Sequence, residues 1–191
     1  MKGADMSPTR DQILQTTASL LEKQGCHATG LNEIIRESST PKGSLYYYFP
    51  EGKEQLVSEA VLQAGHTMAD RIRAHLAGET PPAQAIYDFV LRIADNVEVS
   101  SFAAGSPLTA VAMETATTSP RINAACRAAF DLLIAAFEDK LLASGLEAQR
   151  ASDLAQFIIA AIEGGVILSR TMHSAEPLRV VARQLSAALA C

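Results

Sequence analysis

Apolar residues recur at helical spacing along most of the chain, and clusters of Pro, Gly and Ser cut that pattern into segments of helix length. Ser7-Pro8 places a hydroxyl cap before a proline at the first helical position. Ile13, Leu14, Thr17, Ala18, Leu20 and Leu21 then follow on one face, and Gly25 supplies a stop. A short helix fits 31–38 around Ile34 and Ile35, and another runs from Thr40-Pro41 to about Phe49. Pro50-Glu51-Gly52 is a turn, and a long helix follows over 53–76.

The stretch 78–82 (Gly-Glu-Thr-Pro-Pro) is the clearest break. Beyond it, Ile86, Phe89, Val90, Ile93 and Val97 line one side of a helix. A Ser-, Gly- and Pro-rich loop at 100–107 precedes a short helix at 108–116. Ser119-Pro120 repeats the cap-then-proline signature and opens a long helix to about Ser144, closed by Gly145. Further helices are predicted over 148–172 and 178–190. Strand-length alternation of apolar and polar residues is missing, so the predicted fold is all-α. An N-terminal three-helix unit over 1–52 is expected, with a larger helical domain over 53–191.

The second and third helices are separated by a tight turn, which is the helix-turn-helix pattern. Such a unit sets the N-terminal part of its last helix into the DNA major groove. Leu45 and Phe49, four residues apart, can anchor that helix to the first two. Lys42, Ser44, Tyr46, Tyr47 and Tyr48 point elsewhere, and Gly43 permits close backbone approach. Aromatic residues often serve as core filler. Successive helical positions lie about 100° apart, however, so three consecutive tyrosines cannot all face one core. At least one is left exposed, which favours binding.

Charge changes this picture only by being permissive. The net charge is −5, yet residues 1–53 carry six basic and six acidic side chains. The excess of acid falls in the remainder, so the N-terminal third is the part able to face phosphates. The longest apolar runs, such as 157–162, are interrupted by Glu163 and predict no membrane span. The segment 1–6 lacks the apolar core of a signal peptide, and a cytoplasmic location is expected.

The residues Ile34, Thr40-Pro41-Lys42-Gly43-Ser44-Leu45-Tyr46-Tyr47-Tyr48-Phe49 and Gly52-Lys53-Glu54-Gln55-Leu56 together resemble the signature of the TetR family. Phe49-Pro50-Glu51-Gly52-Lys53, Ala104-Gly105-Ser106-Pro107-Leu108, Ser119-Pro120-Arg121-Ile122 and Ile162-Glu163-Gly164-Gly165 resemble its LmrA/YxaF-like branch. The resemblance implies a homodimeric transcriptional regulator, a repressor that binds a double-stranded DNA operator and leaves it when a small-molecule effector binds. Thr40, Lys42, Gly43, Ser44, Tyr46, Tyr47, Tyr48 and Lys53 become the implied DNA-binding residues. Thr40 would cap the recognition helix, and Lys53, at the start of the fourth helix, would meet phosphate. Two departures stand out: Ser39 occupies a turn position where Gly is usual, and Gly30 starts the second helix where Ser or Thr is usual.

The same resemblance places an effector region among Phe89, Ile93, Phe102, Ser106, Met113 and Phe130, with Thr109, Asn96 and His66 as further polar partners. The apolar side chains clustered there predict a largely apolar, aromatic effector; each residue taken singly also reads as plain core. The helices at 121–144 and 148–172 are the implied dimer helices. Phe137, Ile158, Ala161, Ile162 and Gly165 are the expected interface, with small residues allowing close approach. The other reading is that these helices form the protomer's own core.

Cys26, Cys126 and Cys191 are widely spaced, which speaks against a disulfide framework or zinc site. Cys26 or Cys126 as a thiol redox switch is the alternative reading on the same scaffold. His27, His66, His75 and His173 form no metal-binding spacing. No catalytic motif or cofactor fingerprint is found, and neither enzymatic activity nor a cofactor is expected.

Overall fold

Proline and glycine punctuation sets the boundaries of the helices in the computed structural model, which describes residues 7–103 and 105–190. The segment 1–6, Ala104 of the branch signature and Cys191 lie outside the described residues. Among those described, the elements are α1 (Pro8–Ala28), α2 (Leu31–Glu37), α3 (Lys42–Tyr48), α4 (Lys53–Leu76), α5 (Pro82–Val99), α6 (Pro107–Thr115), α7 (Pro120–Ala143), α8 (Ala148–Met172) and α9 (Glu176–Leu189). All regular structure among them is α-helical, as the apolar spacing predicts.

The cap-then-proline signatures mark both helix starts, but their hydroxyls do different things. Ser119 Oγ accepts the N–H of Ile122 at 3.1 Å, as an N-cap should. Ser7 makes no such bond; its hydroxyl accepts from Tyr48 instead. Gly25 does interrupt α1, with φ 78 and ψ 179, although one further turn follows it. Ser39 adopts φ 51, so the serine takes up the left-handed turn that its sequence position demands. Gly30 caps α2 with no side-chain bond.

By compactness the described residues form two units. One comprises residues 1–65 and 107–129, the other 66–106 and 130–191. The first unit extends beyond residue 52 because the early turns of α4 complete its core. Leu56, Val57, Ala60 and Val61 are buried along with Ile13, Leu14, Leu21, Ile34, Leu45 and Phe49. α1 packs against α2, α3 and α6 in this unit. Gly65 fits there because a Cβ would come 2.6 Å from the Ala129 Cβ.

In the second unit α5 packs against α8 and α9, and α8 against α9. Ile86, Phe89, Val90 and Val97 face inward, together with Ile158, Ile162, Leu178 and Leu185. Ile93, which the pattern places on the same side, is half-buried. Glu147 caps α8, accepting the N–H groups of Gln149 and Arg150 at 3.0 Å each. Those bonds hold its carboxyl below the ordinary glutamate value.

α8 departs from expectation in one respect: by length and composition it could cross a membrane. The run 157–162 understates its apolarity, which continues through Val166, Ile167 and Leu168.

Candidate functional site

α3 is anchored from beneath and open above. Leu45 and Phe49 are fully buried, as their spacing predicts, and Arg10 lies over the Phe49 ring at 5.7 Å while also pairing with Glu59. Tyr47 is 75% exposed and Tyr46 45% exposed. The Lys42 ammonium sits 5.9 Å from the Tyr46 ring centroid, a cation–π geometry that keeps both side chains at the surface. Gly43 is exposed with nothing within 4 Å of an added Cβ, and Ser44 is half-buried. Lys42, Gly43, Ser44, Tyr46 and Tyr47 therefore lie on the accessible part of one short helix.

The other three implied contacts are committed inside the unit. Tyr48 donates its hydroxyl to Ser7 Oγ at 2.8 Å and meets the Tyr47 ring edge-on at 5.0 Å, tying the end of α3 to the start of α1. Thr40 is buried and shares a hydrogen bond of 2.8 Å with Ser38 Oγ. It does not cap α3: Pro41 holds that position, and its carbonyl accepts Ser44 N–H at 2.9 Å. Lys53 donates Nζ to the Cys26 carbonyl at 2.7 Å, leaving two of its three N–H donors for other partners.

The expected effector residues are divided between the two units. Phe89, Ile93, Phe102, Ser106 and Phe130 belong to the second unit. Phe89 is buried between the rings of His75 (5.4 Å) and Phe137 (5.8 Å). Phe102 meets His173 edge-on at 5.4 Å, and its carbonyl accepts Arg170 Nε at 3.2 Å. Met113 belongs to the first unit and is 76% exposed, so it leaves this set. Sequence pattern could not place it, because α6 is too short for a clear apolar face.

The expected dimer residues also need correction. Phe137, Ile158, Ile162 and Gly165 are buried within the protomer, and Ala161 is half-buried. Gly165 is small because α9 passes it: a Cβ there would lie 3.0 Å from Leu178 Cδ2 and 3.2 Å from Val181 Cγ2. The exposed side of α8 instead carries Phe157, Ile167, Leu168 and Met172, with Ala160 also exposed. Gly164 has open space beside it. We expect Gly165→Leu to cost about 1–3 kcal/mol of protomer stability through overpacking. Denaturant unfolding would measure this, and a wild-type midpoint would contradict the packing.

Both described cysteines are buried. Desolvation raises the Cys26 thiol, only partly opposed by Lys53. Desolvation, with a smaller contribution from Cys26, pushes Cys126 up to about 11. Such thiols are poor nucleophiles at neutral pH, so nothing here favours the redox alternative. Among the described residues, no cluster of His, Cys, Asp and Glu could hold a metal ion.

A helix-turn-helix whose last helix is exposed, joined to a larger helical unit, defines a DNA-binding regulator class. Residues 13–60 match the bacterial regulatory proteins of the tetR family, and residues 82–184 match the LmrA/YxaF-like transcriptional regulator C-terminal domain. The chain is 37% identical to the HTH-type transcriptional regulator YxaF of Bacillus subtilis over 177 residues, 93% of each chain. It is 36% identical to the regulator LmrA of the same organism, over 89% of this chain and 90% of that one. The crystal structure of a TetR regulatory protein from Rhodobacter sphaeroides superposes with a TM-score of 0.81 at 19% identity, covering 94% of this chain and 98% of that chain. The chain belongs to the TetR family of DNA-binding transcriptional regulators, with an LmrA/YxaF-like C-terminal domain. Its relatives are regulators, not enzymes.

Proposed function

We propose that the protein is a cytoplasmic, homodimeric repressor whose α3 reads each half of a palindromic operator and which a largely apolar effector releases. The observation that carries the DNA reading is the exposure of Tyr46 and Tyr47 beside Lys42 on a helix otherwise anchored by buried Leu45 and Phe49. An aromatic hydroxyl and an ammonium on one accessible face suit base edges and phosphate together. Gly43 and Ser44 complete that face. Lys53 and the free N–H groups at the start of α4 supply phosphate contact. Thr40 and Tyr48 support α3 from within the unit.

Tyr47→Ala should weaken specific operator binding by about 1–3 kcal/mol without altering the fold. Lys53→Ala should weaken all sequences alike and flatten the salt dependence. Fluorescence anisotropy against the gene's own upstream region measures both. Unchanged affinity in Tyr47→Ala would remove α3 as the reading helix.

The effector reading rests on Phe89, Ile93, Phe102, Ser106 and Phe130 sharing one compact unit. Phe89 and Phe102 already make edge-on or tilted aromatic pairs that an aromatic ligand could join. By linkage, an effector that weakens operator binding by some factor is itself bound more weakly by that factor when DNA is present.

A further inference from the structure

The turn that ends α1 takes two of its hydrogen-bond partners from other helices. Gly25, at φ 78 and ψ 179, lies in a backbone region used essentially by glycine. A Cβ there would overlap the carboxylate of Glu114, which comes from α6. One Glu114 oxygen, Oε2, accepts the backbone N–H of His27 at 2.7 Å and lies 2.8 Å from His27 Nδ1. The backbone N–H of Cys26 also favours the charged form of this carboxylate. Desolvation pulls this carboxyl upward, but the two backbone N–H groups and the His27 ring together hold it below the ordinary glutamate value. Successive N–H groups converging on one anion form a nest, and here the anion is a side chain.

Of the carbonyls of the same turn, one is held locally and one from another helix. Gly25 accepts Thr29 Oγ1 at 2.7 Å, and Cys26 accepts Lys53 Nζ at 2.7 Å. A carboxylate from α6 and an ammonium from α4 thus clamp the two sides of one turn. The helix after this turn has little support of its own at its start: α2 begins at Gly30 with no side-chain cap, and it leads directly into α3.

We propose that Glu114 is a positioning residue for DNA binding, its carboxylate fixing the turn at 25–29 from which α2 and α3 are carried. Operator affinity then depends on α6 keeping that carboxylate in place, although α6 lies outside the helix-turn-helix sequence. The proposal rests on the reading of α3 as the DNA-contacting helix, which the Tyr47→Ala titration tests separately.

Glu114→Gln keeps one acceptor oxygen but sets an NH2 group against the nest. It should weaken operator binding at least about tenfold, a difference of 1.4 kcal/mol. His27→Ala leaves both backbone donors in place and should change affinity less than about twofold. Amide exchange in the DNA-free protein should show Cys26 and His27 protected in the wild type. In Glu114→Gln those two amides should exchange much faster, while amides in α8 keep wild-type rates. Wild-type affinity in Glu114→Gln overturns the proposal, and so does an equal loss in His27→Ala, which would assign the effect to the ring ion pair. Should Glu114→Gln fail to fold, wild-type exchange decides: rates of an exposed loop at Cys26 and His27 overturn the proposal, and helix-like protection upholds it.

Discussion

Phe137→Ala should cost about 3–5 kcal/mol of protomer stability, the range for deleting a buried aromatic ring. Domains are commonly stable by only about 5–15 kcal/mol, so the loss should be plain in any denaturant curve. The ring has 0% exposure and sits edge-on to Phe89 at 5.8 Å and 71°. Leu133, Ala136 and Leu141 of α7 are buried with it. An apolar cavity of the kind the alanine would leave stays dry, so the packing loss is not compensated by water. Were Phe137 an interface side chain, the variant would keep protomer stability and lose self-association. Sedimentation of the folded variant should instead show wild-type association. A folded monomer with an unchanged intrinsic stability would refute the interior placement.

Much of the fold could be read from single residues because their physics is local. Proline at a helix start follows from backbone sterics and holds; Gly25, read as a stop, interrupts α1, which runs on to Ala28, and Ser39 takes a left-handed turn at the position where the family resemblance puts Gly. The buried pair Leu45 and Phe49 followed from spacing alone, as did the exposure of at least one of three consecutive tyrosines. What could not be read was which partner a polar group finds across the fold. Tyr48 reaches Ser7, forty-one positions away, and His27 reaches Glu114, eighty-seven away. No periodicity encodes such pairs. The signal within reach was Gly25 itself: a glycine inside a helical stretch marks either a stop or a close approach, and here it marks a kink with a close approach.

The dimer helices show a different kind of limit. α8 is apolar around most of its circumference, so composition cannot tell the side turned to α9 from the side left open. Small residues occur on both: Gly165 faces Leu178, while Gly164 has open space. Reading close approach from glycine was sound, but the approach at Gly165 is made by the chain's own α9.

The exposed side of α8 therefore carries the proposed self-association, and Leu168→Arg should yield a folded monomer. Leu168 is 48% exposed and Phe157 53% exposed, three turns apart on α8, with Ile167 and Met172 beside them. Exposed apolar residues clustered along one helix mark an interaction surface rather than the scatter normal on a monomer. A second copy is the occupant favoured here, because a two-fold dimer places one reading helix in each half of a palindromic site. An arginine at Leu168 loses apolar contact in each copy, and the two-fold axis applies that loss twice. A charge left unpaired in such an interface adds a desolvation cost of several kcal/mol. Operator affinity should fall at least about 100-fold, or 2.7 kcal/mol, because a monomer engages one half-site. The helical circular dichroism signal and the thermal transition should persist, since the side chain is already half exposed in the protomer. Sedimentation at micromolar concentration, run beside the operator titration, provides the test. A Leu168→Arg protein that remains dimeric and binds operator as the wild type does would place the interface elsewhere on the chain.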